Sequence, residues 1–230
     1  GIAWRNVVGY STESVAQHTF AMLFYLLEKL PYYDRYVKDE KYIGDKMFTH
    51  FDKHFGELAK MTWGIIGLGN IGKRVADIAK AFGCRVIYYS TSGRNSQPGY
   101  ERVSFEELLK ESDIVSVHAP LDENTLDLMN KEAFHQMKKT AIFLNLGRGP
   151  IVVEEDLAEA LEQDEIAAAG LDVLRVEPMS PENPLRRIKD SEKLLITPHI
   201  AWASVEARTR LMEIICGQIQ EFFSNGSPES

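Results

Sequence analysis

The sequence predicts an α/β protein built on a doubly wound parallel sheet, and three observations carry that prediction. Short apolar runs alternate with helical patterns from residue 61 to residue 200, a glycine-rich turn joins the first run to the first of those helices, and no internal repeat or low-complexity block interrupts the series. Strands separated by helices pair in parallel through right-handed crossovers, so both faces of the sheet are covered.

The elements follow in order. Residues 11–30 carry Val15, Met22, Leu23, Leu26, Leu27 and Leu30 at helical spacing, and Pro31 is expected to stop that helix. Residues 31–60 mix aromatic and charged side chains and read as a connector with a short helix. Strands are expected at 62–66, 85–89, 113–117, 141–144, 167–173 and 194–196, with helices at 71–82, from 104 onward, 131–137 and 154–162. Ser104 and Glu107 have the spacing of a capping box, in which each side chain meets the other residue's backbone amide. Residues 204–223 form a long amphipathic helix whose Leu211, Ile214, Ile215, Ile219, Phe222 and Phe223 exceed what one capping helix needs. The polar tail from 225 to 230 is expected to fray.

Composition bounds the function. The 230 residues carry a net charge of −8, with 44% hydrophobic and 26% charged residues, which suits one large globular domain or two small ones. An acidic chain lacks the basic face that displaces counterions from phosphate, so no nucleic-acid partner is expected. The longest apolar run, 21–27, falls far short of the ~20 residues that a bilayer requires, so no membrane partner is expected either. The first residues have no signal-peptide pattern, and Cys84 and Cys216 lie far apart. A cytoplasmic location is the expectation.

Gly67-Leu68-Gly69-Asn70-Ile71-Gly72 is G-x-G-x-x-G between an expected strand and an expected helix. Gly67 permits the tight turn, Gly69 lets backbone approach a pyrophosphate, and Gly72 lets helix and strand pack closely; the helix N-terminus offers free amides to the phosphates. This makes the sheet a Rossmann-type dinucleotide-binding domain. Eighteen residues beyond Gly72, where an acid usually holds the adenosine ribose, stands Ser90, followed by Thr91 and, further on, Arg94. Hydroxyls and a guanidinium would accept a 2′-phosphate, so NADP is as open as NAD. A solvated Arg94 beside an NAD site is the alternative.

Ligands of such sheets lie beyond the carboxyl ends of the strands. Three chemically useful residues fall there: Arg148 after the strand at 141–144, Glu177 after 167–173, and His199 after 194–196. Reduction of a ketone by hydride leaves an alkoxide that needs a proton, which histidine supplies near neutral pH. A carboxylate at Glu177 would fix the ring and favour its protonated form. Arg148 would grip a substrate carboxylate or polarise the carbonyl.

These motifs, together with His118-Ala119-Pro120-Leu121, Leu171-Asp172-Val173 and Thr197-Pro198-His199-Ile200-Ala201, resemble the D-isomer-specific 2-hydroxyacid dehydrogenases over essentially the whole chain. The resemblance implies that Arg148, Glu177 and His199 are catalytic. It places Asp172 at the nicotinamide carboxamide and His118, Ala119 and Pro120 along the cofactor, with Asn70, Ile71, Leu146 and Ala201 also lining it. It implies NAD or NADP as cofactor, a small 2-oxo or 2-hydroxy acid as substrate, and a homodimer formed through 11–30 and its neighbours. His199-Ile200-Ala201-Trp202-Ala203 looks most like the glycerate dehydrogenase and hydroxypyruvate reductase branch. Lactate and hydroxyisocaproate types stay open.

Three departures stand out. Family members carry about one more domain ahead of the position of Gly1. Residues 1–200 then read as the dinucleotide domain and 201–230 as a helix returning to an incomplete substrate domain, with apolar faces of 11–30 and 204–223 left for that domain or a partner. Ser90 replaces the usual acid. Val153 occupies an N-cap position that the family fills with Asp or Asn.

Other features compete weakly. His50 and His54 are spaced for one face of a helix but lack a third ligand, so no metal is expected. His18 and His135 read as core or surface residues, and Cys84 as a buried small apolar one. The rival functions are a dinucleotide-sensing corepressor or scaffold of the same fold, a cofactor-binding fragment without turnover, and a dehydrogenase of formate or a non-carbon acid. The paired Glu177 and His199 argue against formate, whose oxidation needs no proton donor.

Overall fold

A computed structural model describes residues 5–94 and 96–224; the tail at 225–230 lies outside the described residues. Seven strands form one sheet: β1 (Thr62–Ile66), β2 (Arg85–Tyr89), β3 (Glu101–Arg102), β4 (Ile114–Val117), β5 (Ile142–Asn145), β6 (Ala168–Leu171) and β7 (Leu194–Ile196). Their order is β3-β2-β1-β4-β5-β6-β7, with every pairing parallel. The winding reverses between β1 and β4, so a crevice opens where those two strands end.

The helices are α1 (Thr12–Leu27), α2 (Leu30–Lys38), α3 (Asn70–Ala81), α4 (Phe105–Glu111), α5 (Lys131–Gln136), α6 (Glu154–Glu162) and α7 (Val205–Ser224). Alternating strand residues feed two cores. Ile65, Ile114, Ile142 and Leu144 join α1 and α3 on one face, while Ile66, Val115, Phe143 and Leu171 join α4, α5 and α6 on the other. Both faces are apolar because both are covered, which is why the strands read as continuous hydrophobic runs.

The expected helix at 11–30 ends earlier. Lys29 adopts a left-handed conformation (φ 54°) that breaks the chain direction after α1. Pro31 sits in the first turn of α2, where a missing N–H costs nothing, so it helps start a helix instead of stopping one. The apolar face of α1 is not left over: Val15, Phe20, Met22, Leu23, Leu26 and Leu27 are buried in the core. Full burial of each leucine contributes about 1.5–3 kcal/mol. By contrast, α7 buries only Ala207 and exposes Met212, Ile214, Ile219, Phe222 and Phe223, as its sequence suggested.

β3 was not foreseen, since two exposed residues at a sheet edge carry no periodic signal. Half of the capping box forms: the Glu107 amide donates to Ser104 Oγ (3.2 Å). Val153 makes no side-chain cap for α6, as expected of valine. Cys84 is buried, with its Sγ donating to the Leu58 carbonyl, and burial pushes the thiol up to about 11.

Candidate active site

The turn after β1 is shaped by backbone necessity. Gly67 sits at φ +89°, and a Cβ there would lie 2.8 Å from Ala119 in the loop after β4. A Cβ on Gly72 would approach the Gly67 carbonyl oxygen to 2.3 Å. Gly69 is extended and a Cβ there would meet nothing within 4 Å, so open space lies over the turn at the start of α3. The Gly67 amide donates to the Tyr89 carbonyl (3.1 Å), which places the end of β2, and Ser90 after it, beside the same turn.

A cleft of about 450 Å³ runs from this turn across the strand ends. Asn70, Ile71, His118, Leu146, Arg148, Asp172, His199 and Ala201 line it, with residues 6–12 on its far side. Eight of the residues singled out by sequence thus share one cavity. Gly67, Gly69, Gly72, Ala119 and Pro120 shape the turns beneath or beside it. Ser90, Thr91 and Arg94 stand apart, at the end of β2; Ser90 is buried, Thr91 is half-buried and Arg94 is exposed.

His118 shows that the cleft suits a polar ligand. The Trp63 indole N–H donates to Ser116 Oγ (2.9 Å), and that hydroxyl lies 3.1 Å from His118 Nε2. His118 Nδ1 is buried with no hydrogen-bond partner among the described residues. Burial lowers the imidazole pKa to about 3, so the ring is neutral. A buried polar atom of this kind calls for a ligand or water to satisfy it.

The acid–base group lies at the other end. His199 Nδ1 is 2.6 Å from Glu177 Oε2, and Glu177 Oε1 accepts from the Leu174 amide (2.8 Å). Burial works to raise the Glu177 pKa. It is outweighed by the His199 hydrogen bond, the Leu174 amide, and the positive charge of His199 and Arg148, and the carboxyl ends below its usual range. Arg148 is exposed, with Nη1 on the Gly147 carbonyl (2.8 Å).

Asp172 has a fuller role than the sequence suggested. Its Oδ1 accepts from Thr197 Oγ1 (2.6 Å) and the Ile200 amide (2.9 Å), and its Oδ2 accepts from the Ala201 amide (2.9 Å). Of about four acceptor positions on a carboxylate, roughly one on Oδ2 is left for a carboxamide. Asn145 was missed altogether. It is buried at the end of β5, donating to the Arg148 carbonyl (3.1 Å) and accepting from the Gly147 amide (3.0 Å), so it moulds the loop that carries Arg148. An asparagine after an apolar strand and before Gly-Arg-Gly was the available signal.

His18 lies on the first helix and is half-buried, in line with its sequence reading, and its Nε2 is 3.0 Å from Thr197 Oγ1, a contact the sequence did not signal. The segment 50–54 is not helical, so His50 and His54 share no helix face. The His50 ring instead meets the Tyr32 hydroxyl (2.8 Å) and stacks on Tyr36. Among the described residues no group of three or more histidine, cysteine or acidic side chains could hold a metal.

A parallel sheet with a glycine turn at its switch point and an acid–base pair at the strand ends defines a dinucleotide-binding domain of the dehydrogenase type. Residues 20–201 match the D-isomer specific 2-hydroxyacid dehydrogenase NAD binding domain. The chain belongs to that family of NAD(P)-dependent 2-hydroxyacid dehydrogenases. It is 38% identical to a hydroxypyruvate reductase of Blautia hydrogenotrophica, over 99% of this chain and 70% of that protein. It superposes on a D-lactate dehydrogenase of Aquifex aeolicus, solved with NAD and lactic acid, with a TM-score of 0.85 and 30% identity, covering 95% of this chain and 68% of that one. An acyclic imino acid reductase solved with NADPH and D-Arg matches with a TM-score of 0.83 and 31% identity, covering 94% and 66%. The chain therefore spans about two thirds of the length of these relatives. No helix of the described residues is long and apolar enough to cross a membrane.

Proposed function

We propose that this chain supplies the cofactor site and the acid–base machinery for reducing a small 2-oxo acid to the D-2-hydroxy acid with NADH or NADPH. The His199–Glu177 pair at 2.6 Å, beside the cleft that Arg148 and the α3 turn also border, is the observation that carries this reading. When bound, the reduced nicotinamide supplies the hydride. A carboxylate only accepts, so His199 Nδ1–H donates to Glu177, and Nε2 is the nitrogen that delivers the proton to the developing alkoxide. Hydride on carbon and proton on oxygen together turn C=O into CH–OH; in reverse, Nε2 receives the proton. Arg148 pairs with the substrate carboxylate through its planar fork. Asn70, Ile71 and the turn glycines take the pyrophosphate at the start of α3, and His118, Leu146, Asp172 and Ala201 take the nicotinamide half.

The relatives' names favour glyoxylate or hydroxypyruvate as the oxo acid over bulkier ones. Arg94 is exposed and free to reach a 2′-phosphate, which supports use of NADPH alongside NADH. A homodimer is supported by exposed Ile43, Met47, Phe48, Phe51 and Phe55 next to α2, not by α1, whose apolar face is used. Two free cysteines, one buried and one exposed, suit a reducing, cytoplasmic compartment.

The test is stopped-flow oxidation of bound NADH by glyoxylate or hydroxypyruvate. We expect His199→Ala and Arg148→Ala each to slow the step by about 10² to 10⁴-fold. Equal rates in His199→Ala and the unaltered protein would remove His199 as the proton donor.

A further inference from the structure

His199 holds the turn after β7 in a left-handed backbone conformation. Its φ is +55°, in the left-handed region that non-glycine residues rarely adopt. Such a backbone persists where the surroundings over-determine it. The neighbouring residues supply that determination from two directions.

From within the sheet, Asp172 holds the loop by three side-chain bonds, and its carbonyl also accepts the His199 amide (2.9 Å). From outside, α1 holds the same loop with two side chains one turn apart. Ser14 Oγ donates to the Ala201 carbonyl (2.6 Å), and His18 Nε2 lies 3.0 Å from Thr197 Oγ1. The spacing i, i+4 puts Ser14 and His18 on one helix face, so they meet the loop two residues to either side of His199.

The hydrogen bonds fix their own direction. Asp172 takes the Ile200 and Ala201 amides on its two oxygens and so serves as an acceptor, and the Thr197 hydroxyl directs its single proton to Asp172 Oδ1. Thr197 Oγ1 must then accept from His18, whose Nε2 therefore carries a proton. The chain reads His18 Nε2–H to Thr197 O–H to Asp172. Among the described residues, no hydrogen bond or ion pair joins these side chains to the His199 ring or to Glu177.

We propose that His18, with Ser14 and Thr197, forms a set of positioning residues that locks the left-handed His199 loop through Asp172 and so aims the imidazole at Glu177 and the substrate. This rests on the reading of His199 as the proton donor. Losing the lock lets the ring leave its alignment, and misplacement of about 1 Å costs up to about a hundredfold in rate.

The experiment compares His18→Leu, Thr197→Val and His18→Gln in the 230-residue chain. Glutamine returns an N–H near the position of Nε2, whereas leucine and valine keep bulk without the donor or the hydroxyl. Long-range ¹H–¹⁵N spectra of the imidazoles report the His199 tautomer and its bond to Glu177, with His199→Asn assigning the signal. We expect His18→Leu and Thr197→Val to shift and broaden the His199 signals and to lower kcat about tenfold or more. His18→Gln should restore both. A thermal melt confirms that each variant is folded, and Thr197→Val stands in if His18→Leu is not.

An unaltered His199 spectrum in folded His18→Leu and Thr197→Val would overturn the proposal. Full turnover in His199→Asn would instead overturn the reading of the site, and it leaves the spectral result on the lock intact, so the two failures are distinct.

Discussion

Two turns at the same edge of the sheet are built by opposite means. The turn after β1 is made of glycine: Gly67 takes a positive φ and Gly72 leaves room for a carbonyl, so its shape is contained in a few adjacent residues. The turn after β7 bends equally sharply at a histidine (φ +55°), and its shape is imposed by Asp172, Ser14 and His18 from elsewhere in the fold. A turn that must let a dinucleotide approach cannot carry side chains, whereas a turn that must present an imidazole cannot be glycine. The glycine turn before α3 is thus shaped by backbone and the His199 loop by side chains from elsewhere in the fold.

The largest test of this contrast lies where the two constructions meet. Gly149 follows Arg148, and a Cβ on it would fall 1.9 Å from the Leu174 carbonyl, next to the amide that binds Glu177. Backbone cannot yield as a flexible side chain does, so Gly149→Ala is expected to cost about 3 kcal/mol, roughly 6–12 °C in Tm. A melt within 2 °C of the unaltered protein would show that the loop after β5 is freely movable.

Glu177→Gln comes next. The Glu177 carboxyl lies below its ordinary value near 4.3, so the pair's contribution to stability is complete above that value and fades as pH falls through the lowered one. The amide removes the carboxylate that holds the His199 ring. We expect the reduction rate to fall about a hundredfold and the loss of stability on acidification to shrink. An unchanged rate would mean that Glu177 only holds the loop.

Arg94→Ala should have the smallest effect and should leave the His199 loop untouched. We expect Kd for NADPH to rise about five- to tenfold, the loss of one charge-assisted contact, with NADH held within twofold. Equal Kd values for the two nucleotides, unchanged in Arg94→Ala, would remove the phosphate contact.

The same contrast explains what was legible in the sequence. Apart from the edge strand β3 and the break between α1 and α2, the order of strands and helices and the glycine turn were readable, because each depends on local periodicity or on residues within one turn. Arg148, Glu177 and His199 were readable as residues at strand ends, before any contact between them was known. The lock on His199 was not, since it joins His18 on α1 to Thr197 and Asp172, and no spacing rule connects a helix to loops so distant in sequence. Pro31 misled for a related reason: proline marks a helix start as readily as a stop, and only the left-handed Lys29 before it decides which. The unused apolar surface was rightly assigned to α7 and wrongly to α1, because hydrophobic spacing reveals a face without revealing what covers it.

The most direct test of the division is a fluorescence titration of NADH and NADPH into the unaltered protein and into His199→Ala, side by side. A cofactor site that does not depend on the His199 side chain predicts saturable binding with the same Kd, within twofold, in both proteins. Loss of binding in His199→Ala, or no saturation by either nucleotide in the unaltered protein, would contradict it.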